Sequence, residues 1–357
     1  MAQPLRTWTP SGLYCPAGDF YIDPHRAVST ALVTHGHSDH ARRGSKKYFC
    51  AQSSVGILRC RLGKKIEVQG ASFGEPIRFG GATVSFHPAG HILGSAQVRV
   101  EVGGEVWVAS GDYKRDPDPS CEPFESVRCD TFITEATFGT PKYRWSKSAE
   151  HGRDFFEWWQ GNAAEGKNSL LFGYSLGKSQ RILAELAPWA TRPIWIHESI
   201  HDLTECYRAE GRVLAPTRVL PSEPWGADSL FGEELTGDLI LAPPSILQGA
   251  WREKLNAPRT AFASGWMHGQ TKANPYRGGD GYDRGFVLSD HADWDDLNRT
   301  IDESGARQVF VMHRENGALI RHLRKRGLDV HPITALEETA YARLPPVNLS
   351  LFEGLHS

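Results

Sequence analysis

Six consecutive residues, His35-Gly36-His37-Ser38-Asp39-His40, constrain this chain more than any other stretch. Three imidazoles and a carboxylate so close together are costly to bury unless something binds them. They follow an apolar, β-prone run, Ala31-Leu32-Val33-Thr34, so a strand would deliver all four groups into one small volume. Neutral imidazole nitrogen and carboxylate oxygen are the ligands that zinc and related divalent ions take. The spacing suits a pair of ions, with His35 and His37 facing one and Asp39 and His40 the other. A histidine-rich surface loop is the plainer alternative, and the strand context argues against it.

Other strand-like runs end in the same kind of chemistry. Phe20-Tyr21-Ile22 delivers Asp23 just before Pro24. An aspartate there can hold a ligand histidine in its metal-binding tautomer, or simply make an Asp-Pro turn. His91 lies between glycines in a loop, Pro88-Ala89-Gly90-His91-Ile92-Leu93-Gly94, that must approach something closely. Val106-Trp107-Val108-Ala109 leads to Ser110-Gly111-Asp112, and Thr131-Phe132-Ile133-Thr134 leads to Glu135. Late in the chain, Phe286-Val287-Leu288 runs into Ser289-Asp290-His291, and Val309-Phe310-Val311-Met312 into His313. One edge of a sandwich could collect all of these strand ends.

Between about 160 and 275 the pattern changes to strands alternating with helices, which implies a mostly parallel sheet with ligand loops at the carboxyl ends. Ser169-Leu170-Leu171-Phe172 is followed by Gly173-Tyr174-Ser175-Leu176-Gly177-Lys178-Ser179, which opens a helix. Lys178 and the serines at a helix start can hold an anion, although the spacing is not that of a P-loop. Residues 268–284 are polar and glycine-rich and read as a loop or hinge.

Hydrophobic content of 40% and a formal charge of −2 describe an ordinary globular protein. The near-neutral total does not exclude nucleic acid, because bound divalent ions turn a site's field positive. Basic runs at Arg42-Arg43 and Lys46-Lys47, with Lys64-Lys65, suit a solvated face or, given their closeness to the metal loop, a phosphate-contacting rim. No secretory signal and no run long enough to span a bilayer is visible, and the six cysteines form no C-x-x-C pair. A cytoplasmic protein with reduced thiols and no membrane contact is expected.

Taken together, the hexapeptide, His91, Asp112, Glu135, His291 and His313 resemble the motifs of the β-CASP nucleases of the metallo-β-lactamase fold, over nearly the whole chain. The resemblance implies an α/β fold, a metallo-β-lactamase αββα sandwich with an inserted β-CASP α/β domain. Its parts would be residues 1–155, the first piece of the sandwich; 156–275, the insert; and 276–357, the second piece. Within the family the chain looks most like bacterial DNA-ligase-associated DNA exonucleases, relatives of the crosslink-repair 5′-exonucleases. That narrower likeness rests on compact length and on Ser264-Gly265-Trp266.

The resemblance implies two bound divalent ions, zinc or manganese. We expect His35, His37 and His91 to bind one, Asp39, His40 and His313 the other, and Asp112 to bridge them. Hydroxide held between the ions would attack phosphorus, with Asp39 counted among the catalytic groups. His291, oriented and kept charged by Glu135, would protonate the leaving oxygen. Ser264 with Gly265, or Ser175 with Lys178, could seat a terminal 5′-phosphate. DNA is the expected partner ahead of RNA, with an ATP-dependent DNA ligase and a helicase as associates by resemblance. The alternatives are an RNA-processing β-CASP enzyme, a small-molecule hydrolase of the same fold, and a scaffold that binds nucleic acid without cutting.

Overall fold

Alternation of apolar residues along the short strands sets up two facing sheets. The structure, a computed structural model, describes residues 7–147, 149–220, 235–248, 255, 257–269, 281–312 and 317–336. Among these residues the first sheet has six strands in chain order. They are β1 (Thr7–Thr9), β2 (Gly12–Cys15), β3 (Phe20–Ile22), β4 (Thr30–Leu32), β5 (Lys47–Ala51) and β6 (Val68–Ala71). The second sheet holds β7 (Ile77–Phe79), β8 (Ala82–Pro88), β9 (Ala96–Val102), β10 (Glu105–Ala109) and β11 (Thr131–Thr134). It is completed by β18 (Gln308–Val311) and β19 (Asp329–Pro332), in the order β19-β18-β11-β10-β9-β8-β7.

Inward residues of both sheets meet in one core. Leu13, Phe20, Ile22 and Leu32 from the first sheet pack with Phe86, Val98, Val100, Trp107 and Ile133 from the second. The outer face of the first sheet, through Ala31, Tyr48 and Cys50, carries Leu58 and Leu62 of helix α1 (Val55–Leu62). The outer face of the second, through Val108, Phe132 and Val309, carries the last two helices. The order of layers is therefore helix, sheet, sheet, helix.

A third sheet is built from the chain between β11 and β18. It contains β12 (Ser169–Phe172), β13 (Ile194–His197), β14 (Thr217–Leu220), β15 (Leu239–Ala242), β16 (Arg259–Ala263) and β17 (Arg284–Phe286), all parallel. Both faces are covered, as a parallel sheet requires. One side carries Phe155, Trp158 and Trp159 of α2 (His151–Ala164), with Ile182, Leu183 and Leu186 of α3 (Lys178–Leu186). The aromatic run near 155–159 is thus packing.

One expectation needs correction. The third sheet runs on to β17 at Phe286, past the boundary at 275, and α2 begins at His151, before 156. β17 contributes only one buried apolar side chain in three residues, so periodicity could not assign it to either sheet. Residues 270–280 of the expected hinge lie outside the described residues.

The third sheet docks on the sandwich through Ile57 of α1, Ile92, Leu93 and Leu176, together with Leu203 and Tyr207 of α4 (Glu198–Ala209). The thiols of Cys60 and Cys206 stand 3.4 Å apart across this contact, and all six cysteines are free. After β17 the chain returns to the sandwich and forms α5 (Trp294–Ser304), capped by the Asp293 carboxylate on the Asp296 amide, then α6 (Ala318–Lys325). Among the described residues no helix is long and apolar enough to cross a membrane.

Candidate active site

The loops at the carboxyl ends of β4, β10, β11 and β17, with the β8–β9 loop, converge on a cleft of about 760 Å³. Its other wall comes from the third sheet, through the loop after β12 and the turn after β16. At its floor, ligand atoms of His35, His37, His91 and Asp112 all lie within 4.8 Å of one another.

Each imidazole there has one ring nitrogen occupied by an outer partner. His37 Nε2 donates to the Leu176 carbonyl at 3.2 Å, and His91 Nδ1 to the Asp290 carbonyl at 2.7 Å. His35 Nδ1 lies 3.1 Å from the Thr34 hydroxyl, which itself donates to Asp23. His40 Nδ1 donates to Asp23 Oδ2 at 2.7 Å. Carbonyls and carboxylates only accept, so the outer nitrogens carry protons, and at His35, His37 and His91 the other nitrogen is left as an inward lone pair.

Those inward nitrogens crowd together. His37 Nδ1 is 3.1 Å from both His35 Nε2 and His91 Nε2. Nitrogens bound to a tetrahedral zinc at 2.0–2.1 Å stand about 3.3 Å apart. Three lone pairs at that spacing repel unless a cation sits among them, so the donor set fits a metal ion. Asp112 Oδ2 is 3.5 Å from His35 Nε2, 3.7 Å from His91 Nε2 and 3.6 Å from His40 Nε2. One carboxylate oxygen is thus central to both the first histidine set and His40. Asp39 stands at the cleft wall with its carboxylate 3.8 Å from His40 and its side chain largely exposed. His313 lies outside the described residues.

Local backbone explains the convergence. Asp23 sits at φ +45°, a left-handed conformation that aspartate tolerates, and its carboxylate accepts the Thr34 amide at 2.8 Å. It thereby pins the start of the hexapeptide loop while holding His40. Gly111, at φ +55°, passes so close to Thr34 that a Cβ would stand 2.7 Å from the threonine Cβ. A side chain there would push Asp112 out of register.

Burial and charge sort the imidazoles. Burial drives His35 and His91 well below the usual histidine value, helped by the neighbouring imidazoles. His37 falls for the same first reason, partly opposed by Asp112. At His291 burial also pulls downward, but the Glu135 carboxylate, with Asp112 and Asp290, outweighs it and leaves the group up at about 9. His291 Nδ1 lies 3.0 Å from Glu135 Oε2 and 3.1 Å from Oε1, and Glu135 is itself held by the Tyr113 amide at 2.8 Å. Burial alone would raise Glu135, yet His291 and these hydrogen bonds hold it below its ordinary value. At His40, burial is outweighed by Asp112, Asp23 and Asp39, leaving it raised to about 10.

The expected phosphate seats fare differently. The Lys178 ammonium is buried, donates to the Leu288 carbonyl at 2.7 Å and pairs with Asp290 Oδ2 at 2.7 Å. It is committed to the protein, so an anion seat centred on Lys178 is corrected. Two amides at the start of α3 are also taken, since Gly177 N donates to Gln180 Oε1 and Ser179 N to the Tyr174 carbonyl. Ser175 is half-buried on the cleft wall and shares a hydrogen bond with Ser199. The Ser264 hydroxyl is buried and accepts the Trp266 amide at 3.3 Å, and Gly265 beside it lines the cleft. From the basic runs, Arg43 donates to the Arg61 carbonyl, and Arg61 itself lines the cleft.

Sequence reasoning missed several participants. The Leu176 and Asp290 carbonyls carry no side-chain signature. Lys178 and Arg181 clamp the carboxylate of Asp290, whose own carbonyl is His91's acceptor and which directly precedes His291. Trp145 Nε1 donates to the His291 carbonyl at 2.9 Å. Asp290 stood inside Ser-Asp-His, and Leu176 and Lys178 inside the stretch read as an anion seat, but Arg181 and Trp145 stood in no motif that could have drawn attention.

No protein-family model matches the chain. It is 30% identical over 325 residues to a "Probable DNA ligase" of Opitutus terrae, a match that covers 90% of this chain and 30% of that protein. It is 27% identical over 195 residues to a ribonuclease of Thermus thermophilus, covering 46% and 44%. The chain thus spans less than half the length of these curated relatives. Among solved structures, a protein of unknown function from Enterococcus faecalis aligns with a TM-score of 0.55 and 14% identity, over 79% of this chain and 74% of that one, and shares its fold.

Proposed function

The chain belongs to the β-CASP nucleases of the metallo-β-lactamase fold, and from that premise we propose that it is a metal-dependent DNA exonuclease directed to 5′ ends and serving DNA repair in the cytoplasm. One observation carries this reading: inward imidazole lone pairs stand beside Asp112 at the floor of a cleft lined also by His291, which the buried Glu135 carboxylate holds. The third sheet, with α2 to α4, is read as the inserted β-CASP domain, bounded near residues 150 and 287.

His35, His37, His91 and Asp112 would hold one divalent ion, and Asp39, His40, His313 and Asp112 the other. Nitrogen and oxygen donors of this kind accept zinc and manganese alike. Bound ions supply a nucleophilic water at neutral pH and positive charge against the phosphate oxygens. The chain's own groups do the rest. Asp23 and the Leu176 and Asp290 carbonyls keep the ligand rings turned inward. Glu135 keeps His291 protonated, and the imidazolium donates a proton to the leaving 3′ oxygen, leaving a 5′-phosphate on the other product. The half-buried Ser175 and the Ser264-Gly265 turn are the proposed seat for a terminal phosphate.

Likeness to a protein named as a DNA ligase, in which the matched region is 30% of the length, supports DNA as substrate and a DNA ligase as partner. A helicase partner rests on the family resemblance alone. RNA is the second reading, supported by the likeness to a ribonuclease. One digestion series tests both: single- and double-stranded DNA and RNA, with and without a 5′-phosphate, across zinc, manganese and magnesium. We expect DNA to be shortened from phosphorylated 5′ ends. Preference for RNA would install the second reading, and no cleavage with any metal would end both.

A further inference from the structure

Of the exposed aromatic side chains among the described residues, Tyr174, Trp189 and Trp266, two line the cleft of the candidate site. Trp266 is 40% exposed although Gly265 and Met267 on either side are buried. Its ring is held rather than loose. Phe138 lies against it at 4.6 Å between centroids with a 46° tilt, and Tyr143 meets it edge-on at 5.6 Å. The Ser264 hydroxyl caps the turn that presents it. Gly265 lets the turn approach, because a Cβ there would stand 2.6 Å from Phe138 Cζ.

This arrangement leads inward to the chemistry. Phe138 is buried and stands 5.9 Å from the His291 ring, which in turn lies tilted 4.6 Å from that of His91. A row of rings therefore runs from the candidate acid through Phe138 to an exposed indole. The core does not need an indole at this position, since Phe138 already closes it. What the indole offers is a fixed apolar face beside a site that handles charged phosphate, on a wall shared with Tyr174 and, across the cleft, Arg61.

We propose that Trp266, backed by Phe138, is a stacking platform for the nucleobase adjoining the scissile phosphodiester. The inference rests on the nuclease reading and adds to it a preference for an unpaired strand. Every base has a π-face, so the platform is sequence-tolerant, but a base still stacked inside a duplex cannot reach it. Deoxy- and ribonucleotides offer the same base, so the platform acts on either sugar.

The test crosses a protein change with a substrate change, using the full metal-loaded chain. Single-stranded oligonucleotides, deoxy and ribo, carry either a normal base or a base-free tetrahydrofuran residue beside the cleaved bond. Wild type is expected to cut the base-bearing strand about tenfold better in kcat/KM, and Trp266→Ala to abolish that preference while Trp266→Phe keeps most of it. On a strand whose cleaved linkage is made non-hydrolysable, emission of 2-aminopurine at that position should be quenched on binding by wild type and not by Trp266→Ala. Equal losses on both strands in Trp266→Ala, or a base preference that survives it, would overturn the platform. Cleavage without any base preference in wild type sinks the platform alone, whereas no cleavage of either strand sinks the nuclease reading beneath it.

Discussion

His91 and His291 lie 4.6 Å apart ring to ring, yet their surroundings drive them to opposite charge states. His91 gives its outer nitrogen to a neutral carbonyl, is stripped of water and sits among other imidazoles, so it stays neutral. His291 gives its outer nitrogen to a buried carboxylate and stays protonated up to about 9. Burial acts downward on both. The charge of the outer partner decides the outcome, and with it the role: a lone pair for a metal or a proton for a leaving group. His40 shows the limit of the rule. Asp23 pairs it much as Glu135 pairs His291, and it too is raised, but its inner nitrogen faces Asp112 and Asp39. A cation arriving there would displace its proton.

The comparison breaks most visibly at a ligand. His37→Ala should lose bound metal and cleavage together, measured as metal per chain and digestion of a labelled strand. Retained metal would mean that the crowded nitrogens are not its seat. Next, His291→Ala should keep its metal and lose ~10²–10⁴-fold in kcat. Asp112, Glu135 and His291 also gather within 4.8 Å, so loss of an ion in this variant would move His291 from acid to ligand.

Glu135→Gln sharpens the contrast through pH. A raised value means that the imidazolium is present below about 9 and lost as pH rises through it, so activity that needs the acid falls on the alkaline side. Removing the carboxylate removes the largest upward influence, and the alkaline limb should move to lower pH. If His291 fell back to 6.5, the protonated fraction at pH 8 would drop roughly thirtyfold. An unmoved limb would show that Glu135 does not set the charge of His291. The smallest effect is expected from Asp23→Asn, which should weaken metal affinity by ~10–100-fold and be rescued by added metal. Failure of rescue would mean that Asp23 acts on loop folding and not on the His40 tautomer.

Much of the site was legible because strands have a short, rigid reach. A histidine or carboxylate placed just after an apolar run must emerge at that strand's end, and β4, β10 and β11 each deliver their group so. The same logic failed where the strand was weak. β17 has one buried apolar residue, and its membership in the third sheet had no pattern to announce it. The α3 turn failed for another reason. Gly-Lys-Ser at a helix start suits an anion, but the anion that Lys178 meets is Asp290, delivered from the far side of the fold.

By itself, then, the order of residues determined which chemical groups stand at strand ends and that nitrogen and oxygen donors would meet. Tertiary structure alone decided how each group is protonated and aimed. The acceptors that fix His37 and His91 are carbonyls 139 and 199 residues away, and a backbone carbonyl is identical in every amino acid. Position in space, not identity in the chain, leaves one histidine a neutral donor and its neighbour a charged one.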